Sequence, residues 1–441
     1  MRTNIVHIGA TELSYEIRGI VSVAEKIKQI TGRPIIWENI GDPVQKGEKI
    51  PLWMKEIIHQ AINKDEVYAY SPTKGLKRTR EFLAEKVNKE GYVQIDPEDI
   101  IFFNGLGDAV SKIYGFLRKE ARVIGPSPAY PTHSSAEAAH AGSPPITYKL
   151  DPNNNWMPDL EELYNKVKYN ESIAGIMIIN PDNPTGAVFP EEVLKEIVRI
   201  AKEFDLFILS DEIYINMTYN GTGAIPIAKT IEDVPAISMK GISKELPWPG
   251  GRCGWIEIYN HRKNPMFEQY IKSILNAKML EVSSTTLPQY VIPDILSHPE
   301  YPNWLNQRNQ FYKKRSEMLQ EIFSKVPGIK FNPPKAAFYA SIVFEEPITK
   351  DMKLEIPDKK VREFVETLCS NPSLSNDQRF VYYLLGAKQI CVVPLSTFVT
   401  PLQGFRCTLL EQDDDVFIQT YTTIADAIVE YYNSAKTKVF V

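Results

Sequence analysis

Lys244 follows Ser243 just beyond a short apolar run, 234–239, in a proline- and glycine-rich loop that leads on to Arg252. A lysine past the end of a strand can project its amine into a cleft. Desolvated there, or condensed with a carbonyl as a Schiff base, it becomes a nucleophile and then a proton shuttle. Asp211 and Tyr214 follow a second apolar run, setting an acid at a strand end and a phenol three residues on. Alone, Asp211 reads equally well as a helix N-cap. Asn180-Pro-Asp-Asn-Pro-Thr-Gly186 holds two Asn-Pro steps and cannot continue a strand, so by itself it is a turn that presents Asn183. Gly105-Leu106-Gly107 joins a strand to a helix and can offer backbone N–H groups to a phosphate. Tyr130 is flanked by Pro128 and Pro131, and Tyr70 sits in a loop ahead of a helix. Arg406 is a lone charge in an apolar strand and calls for a paired anion, because burying it unpaired is costly.

The elements that must position these groups alternate. Strands are expected at 100–103, 122–124, 146–150, 173–179 and 206–210. Helices are expected between them at 108–119, 132–141, 160–168 and 191–204. In helix 108–119 the apolar Ala109, Ile113, Phe116 and Leu117 fall on one face. Short apolar strands separated by such helices predict an α/β fold with a mostly parallel sheet covered on both faces. The chemical residues lie at strand ends, where open α/β sheets place ligands. An N-terminal arm precedes this region, with helical character over 21–30 and a strand running into a turn over 35–43; helices at 52–63 and 75–89 follow. Beyond 255–259 come long helices at 265–282, 288–296 and 301–325. Strands at 336–343, 390–393 and 405–410 and a closing helix at 413–435 make a smaller α+β unit. The expected division is an arm over 1–50 packing on the small unit, a large domain over 51–300 and a small domain over 301–441. Whether loop 344–360 or 370–378 forms a lid is open at this stage.

Composition narrows the function. The chain has 441 residues, 43% of them hydrophobic and 24% charged, as in an ordinary globular protein with a large core. A net charge of −5 argues against general nucleic-acid binding. No apolar run is long enough to span a bilayer, and the N-terminus lacks a secretory signal, so a cytoplasmic protein is expected. The four cysteines form no CxxC pair and the six histidines no ligand spacing, so buried thiols and no metal are expected.

In their order along the chain these pieces resemble the fold-type I aminotransferases that use pyridoxal 5′-phosphate. The match rests on Asn183-Pro-Thr-Gly186, Asp211-x-x-Tyr214, Ser243-Lys244 with Arg252 eight residues on, and Phe405-Arg406, and it covers nearly the whole chain. The resemblance implies that Lys244 holds the cofactor and moves the proton at the substrate α-carbon, a task worth about 10²–10⁴ in rate for a positioned base. It implies that Asp211 keeps the pyridine nitrogen protonated so that the ring accepts electrons. Tyr214 and Asn183 would bond the ring 3′-oxygen, and Tyr130 would stack on the ring. Gly105, Leu106, Gly107, Ser243 and Arg252 would hold the phosphate, with Tyr70 reaching it from the second subunit of a homodimer. Arg406 would take the substrate α-carboxylate in a two-pronged pair, with Gly41 and Asn183 beside it. Ser127–Pro128 and Asn183–Pro184 match positions that are usually cis in the family.

Within the family, Tyr15-Glu-Ile-Arg18-Gly19 and Asn39-Ile-Gly-Asp-Pro43 look most like the alanine aminotransferase group, which makes Tyr15 and Arg18 candidate specificity residues. Pro247 and Trp248 depart from the family pattern, and Trp248 is placed to narrow the cleft. Gly241 and Gly107 stand where the family often has hydroxyl residues near the phosphate. The implied reaction moves an amino group from an L-amino acid, alanine or glutamate first, to a 2-oxo acid by a ping-pong route. A lyase on the same fold, either a β-eliminating C–S lyase or a cyclopropane-forming synthase, would keep the same lysine and aspartate. A cofactor-binding regulator would need an added basic DNA-binding region ahead of the match.

Overall fold

The computed structural model describes residues 5–13, 16–221 and 223–436. Tyr15 lies outside the described residues, as does the side chain of Arg18. The chain begins with α1 (Glu16–Thr31) and β1 (Ile36–Trp37), then α2 (Leu52–Ala61) and α3 (Lys77–Lys89). Alternation follows: β2 (Ile100–Phe103), α4 (Leu106–Gly115), β3 (Arg122–Ser127), α5 (Pro131–Ala141), β4 (Thr147–Asp151), β5 (Met157–Pro158), α6 (Leu160–Lys168), β6 (Ile173–Ile179), α7 (Glu191–Glu203) and β7 (Phe207–Asp211). A hairpin of β8 (Ala236–Gly241) and β9 (Gly254–Tyr259) leads to α8 (Pro265–Leu280), α9 (Thr286–Leu296) and α10 (Tyr301–Phe323). The last part holds β10 (Ile329–Phe331), β11 (Tyr339–Phe344), α11 (Lys359–Cys369), α12 (Asn376–Lys388), β12 (Ile390–Cys391), β13 (Val393–Pro394), β14 (Gly404–Thr408) and α13 (Asp414–Lys436).

Eight strands form the large sheet in the order β2-β9-β8-β7-β6-β3-β4-β5. The pairs β3–β4, β3–β6, β6–β7 and β7–β8 are parallel, while β9 runs antiparallel to both β2 and β8. The C-terminal ends of β2, β3, β6, β7 and β8 therefore meet on one edge, where β9 begins. Alternate residues along each strand feed two separate cores. Phe102, Ile124, Ile176, Ile178 and Ile208 pack on one face with α3, α7 and α9. Phe103, Val123, Met177, Ile179 and Leu209 pack on the other with α4 and α8. Burial on both faces is why these strands read as unbroken apolar runs.

The smaller antiparallel sheet runs β10-β11-β14-β13. The arm pairs with the chain's last third in a separate two-stranded parallel sheet of β1 and β12, and Ala24 and Ile27 of α1 share a core with Val361, Phe380 and Phe405. Ahead of α1, Gly9 lies instead against α5, where a Cβ on it would strike the Ala139 carbonyl. No helix among the described residues is long and apolar enough to cross a membrane. All four cysteines are free and buried.

Several sequence expectations need correcting. The helix expected at 108–119 spans Leu106–Gly115, because Gly105 at φ 85° turns the chain early. Phe116 then falls beyond the helix, 47% exposed. Two helices went unread. Asp358 caps α11, whose Val361, Val365 and Cys369 are buried, and a Ser375–Gln378 capping box opens α12. Loop 344–360 is anchored rather than free, with Ile348, Met352, Leu354 and Ile356 all buried. Ser127–Pro128 is cis, as the family pattern implies. The second cis bond is Asn180–Pro181 and not Asn183–Pro184. Asn183–Pro184 lies inside a tight turn closed by Gly186 N–H on the Asp182 carbonyl and Thr185 N–H on the Asp182 carboxylate.

Candidate active site

The strand ends enclose a cleft of about 520 Å³ lined by Leu106, Gly107, Tyr130, His133, Asn183, Asp211, Tyr214, Ser243, Lys244, Arg252 and Tyr339, among others. That volume suits a small molecule. Lys244 leaves the sheet three residues after β8 ends. Its Nζ donates to the Gly41 carbonyl at 2.7 Å and lies 5.7 Å from the centre of the Phe338 ring. Asp211 is the last residue of β7 and is buried. Its Oδ2 is 2.9 Å from His133 Nε2, and its Oδ1 accepts the Ile213 N–H at 3.1 Å. The segment after Asp211 is a turn, so the residue caps no helix. Tyr214 is buried with its hydroxyl 3.4 Å from that of Tyr339. Burial, and then the Tyr339 hydroxyl, raise its phenol well above the usual range.

Arg406 sits on β14 opposite Ser341 of β11 and is 3% exposed. Its Nη1 donates to Asn183 Oδ1 at 3.2 Å and its Nη2 to the Asn39 carbonyl at 2.5 Å, both neutral acceptors. Its Nε is buried without a partner, and no carboxylate among the described residues forms an ion pair with it. The anion that the sequence calls for is not supplied by the described protein. The guanidinium is flanked by the Tyr339 ring at 4.4 Å and the Phe398 ring at 5.1 Å.

At the other end of the cleft, the first N–H groups of α4 point outward without intrahelical partners, as at any helix start, and favour an anion. Gly105 suits this place because its φ of 85° is one that other residues rarely adopt, and it leaves room for the Arg252 guanidinium, whose Nη2 lies 2.5 Å from where a Cβ would stand. Arg252 is exposed and spends its guanidinium on backbone oxygens only, Pro249 at 3.1 Å and Asn104 at 3.5 Å. The cleft thus offers an amine, a buried carboxylate and a helix start beside an arginine, and a second arginine lacking an anion adjoins it behind Asn183 and Tyr339. That set fits pyridoxal 5′-phosphate, which carries a carbonyl, a ring nitrogen and a phosphate, together with an amino acid carboxylate.

Of the residues singled out from sequence, Leu106, Gly107, Tyr130, Asn183, Asp211, Tyr214, Ser243, Lys244 and Arg252 line the cleft, and Arg406, Gly41 and Gly105 adjoin it through Asn183, Lys244 and Arg252. Tyr70 is the exception, 85% exposed and outside the cleft of its own chain. Trp248 also stays out of the lining. Its ring lies where a Cβ on Gly251 would come within 2.8 Å, and Pro249 faces the cleft in its place. A Cβ on Gly241 would sit 3.0 Å from the Cys253 carbonyl, so packing against β9 accounts for that glycine. Gly107 faces open space. Sequence reasoning missed His133 and Tyr339. His133 lies only three residues past Tyr130, and Tyr339 is the one hydroxyl-bearing ring in Ala336-Ala-Phe-Tyr-Ala340. A second cavity of about 300 Å³ lies behind Ile213 and holds Lys240, 2.7 Å from Glu257 and 3.6 Å from Glu212. Among the described residues no cluster of His, Cys, Asp or Glu could hold a metal ion.

Comparison with known proteins agrees with this geometry. Residues 34–416 match the model for aminotransferase class I and II. An uncharacterized aminotransferase of Methanocaldococcus jannaschii is 55% identical over 98% of this chain and 99% of its own length. Glutamate-pyruvate aminotransferase AlaA of Escherichia coli is 28% identical over 91% of this chain and 92% of its own. The solved alanine aminotransferase from Pyrococcus furiosus superposes with a TM-score of 0.82 at 26% identity, covering 97% of this chain and 99% of that one.

Proposed function

The chain belongs to the aminotransferase class I and II family and is a transaminase; from that premise we propose a substrate class, a cofactor and a role for each residue of the cleft. The amino donor is a small L-amino acid, alanine or glutamate, and the acceptor a 2-oxo acid such as pyruvate or 2-oxoglutarate. The names of the E. coli and P. furiosus relatives support that choice. The cofactor is pyridoxal 5′-phosphate, on which the family depends. When bound, it supplies a carbonyl that condenses with amines and a ring that accepts electrons released at the substrate α-carbon.

The chain's own groups do the rest. Lys244 gives up its bond to the Gly41 carbonyl and carries the proton at the α-carbon. Asp211, steadied by His133 and the Ile213 N–H, keeps the ring nitrogen protonated. Tyr214 and Asn183 bond the ring oxygen, and Tyr130 covers the ring. The start of α4 with Ser243 and Arg252 holds the phosphate. Arg406 takes the substrate carboxylate in a fork that lysine cannot form. Donor and acceptor share that seat in turn, which makes the order ping-pong. The chain acts as a homodimer in the cytoplasm, with Tyr70 serving the partner's phosphate site; its exposure supports that role.

The observation that carries this reading is the buried guanidinium of Arg406, held by neutral acceptors, one of which, Asn183, lines the cleft together with the Lys244 amine and the Asp211 carboxylate. The test is a screen of amino donors against the cofactor-loaded protein, following the visible absorbance with and without added 2-oxo acids. Alanine or glutamate should bleach the band, and a 2-oxo acid should restore it. Release of ammonia with the band retained would instead favour a lyase.

A further inference from the structure

Tyr339 opens strand β11, and Arg406 lies diagonally across from it on β14, because Tyr339 pairs with Thr408 and Ser341 with Arg406. The diagonal places both side chains on one face of the sheet. The ring centre of Tyr339 is 4.4 Å from the Arg406 guanidinium carbon, and Phe398 flanks the same group. The other end of Tyr339 reaches the cofactor side of the cleft. The Tyr214 hydroxyl donates to the Tyr339 hydroxyl at 3.4 Å, a direction that reverses if Tyr214 turns to another acceptor, and the two rings meet edge to face at 6.0 Å. Gly41 presses on the same hydroxyl, since a Cβ there would come within 1.8 Å of it. One buried side chain thus touches the seat proposed for the substrate carboxylate, the phenol proposed for the ring oxygen, and the residue whose carbonyl holds Lys244.

We propose that Tyr339 is a positioning residue for amino-group transfer, its ring fixing the Arg406 fork and its hydroxyl polarising Tyr214 toward the cofactor ring oxygen. This rests on the proposed function above. A buried guanidinium with only neutral acceptors gains from aromatic faces that other donors cannot supply. With Tyr214 turned to the ring oxygen, the Tyr339 hydroxyl donates to the Tyr214 oxygen in a two-hydroxyl chain. Such chains strengthen each bond in a water-poor site. A stronger donor at the ring oxygen favours its charged form, so the neighbouring proton is held less tightly.

The test uses the loaded protein with Tyr339→Phe and Tyr339→Leu, read by a pH titration of the visible absorbance of the lysine-bound cofactor and by steady-state kinetics. Tyr339→Phe keeps the ring and removes the hydroxyl. It should raise the titration midpoint by about half a pH unit, one modest hydrogen bond, and leave KM for the amino acid nearly unchanged. Tyr339→Leu should raise the midpoint similarly and also raise KM about ten-fold, as the aromatic face is lost. Thermal unfolding of both variants separates folding from function, since a purely structural role would lower Tm without moving the midpoint. An unmoved midpoint in Tyr339→Phe overturns the hydroxyl's role, and an unchanged KM in Tyr339→Leu overturns the ring's. Wild-type protein that takes up no coloured cofactor would overturn the reading of the site itself, and this inference with it.

Discussion

The amine of Lys244 donates to the carbonyl of Gly41 at 2.7 Å, tying the loop after β8 to the N-terminal arm. The amine must leave that carbonyl to react, and among the described residues no other lysine lines the cleft. Lys244→Ala is expected to cut kcat by at least about 10²–10⁴, the share of a positioned base, with the fold intact. Borohydride reduction followed by peptide mass mapping checks the covalent part. The wild-type peptide that contains residue 244 should carry the cofactor mass, and the variant's should not.

Arg406 tests the carboxylate seat. Arg406→Lys keeps the charge but cannot bond Asn183, Asn39 and a carboxylate in one plane. Loss of one charge-assisted hydrogen bond costs about 1.5–3 kcal/mol, or about 10- to 150-fold in kcat/KM. Donor and acceptor should suffer alike, because both use the same seat. Steady-state kinetics with each substrate varied in turn measures this, and a loss confined to one of them would refute the shared seat.

How much of this was legible beforehand follows from what each signal depends on. Buried parallel strands are local and unbroken, so 173–179 was bounded as the structure has it, and Asp211, Asn183 and Lys244 were found at strand ends because ligands gather there. Helices α11 and α12 escaped notice although Asp358 and the Ser375 capping box announce their starts, since α11 is only three turns long and α12 is buried on several faces, with Phe380, Val381, Tyr383, Leu384 and Leu385 in one run that blurs the helical period. Tyr339 was invisible for a different reason. Its importance comes from the β11–β14 register, which sets it diagonal to Arg406, and no local pattern encodes a register between strands about sixty residues apart. The orientation of Trp248 away from the cleft likewise depends on its fit over Gly251.

Asp182 offers a test by pH. Its Oδ2 accepts both the N–H and the hydroxyl of Thr185, while its Oδ1 is buried without a partner. Burial raises its carboxyl to about 7 from an ordinary value of 3.8. With the folded value above the unfolded one, the folded chain holds the extra proton between those values. Stability from this group is therefore full below about pH 4 and lost as pH rises through about 7, a change of up to about 4 kcal/mol. Asp182→Asn removes the titration and keeps an acceptor for Thr185. The Tm of the variant minus that of wild type should climb between pH 4 and 8, and a flat difference would show that the carboxyl does not titrate there.

Tyr70 and Lys244 allow a test of the homodimer by complementation. If Tyr70 serves the partner's site, a mixed dimer of a Tyr70→Ala chain and a Lys244→Ala chain contains one site with both residues intact. Unfolding the two variants together and refolding them should recover activity that neither has alone. Refolding them separately and then mixing briefly should recover none, and sizing chromatography should find dimers in every sample.

Gly41 leaves no room for a side chain beside Tyr339. A Cβ at position 41 would come within 1.8 Å of the Tyr339 hydroxyl oxygen, 2.8 Å of Cζ and 3.2 Å of Cε1. The first two distances cannot be tolerated, so Gly41→Ala must push either the arm or the ring. Shifting the arm moves the carbonyl that holds Lys244 and, through the neighbouring Asn39, an acceptor of Arg406. Shifting the ring loosens the face against the guanidinium. By either route the loss should appear in kcat/KM, about 10- to 100-fold by analogy with ångström-scale misplacement of reacting groups. Adding Tyr339→Phe removes the 1.8 Å contact but leaves the ring carbons close, so the double variant should regain part of the lost activity. A double-mutant cycle decides the matter. Coupling in which the second substitution partly repairs the first places the two groups in direct contact, whereas simple additivity would mean that Gly41 acts on the cleft without touching Tyr339.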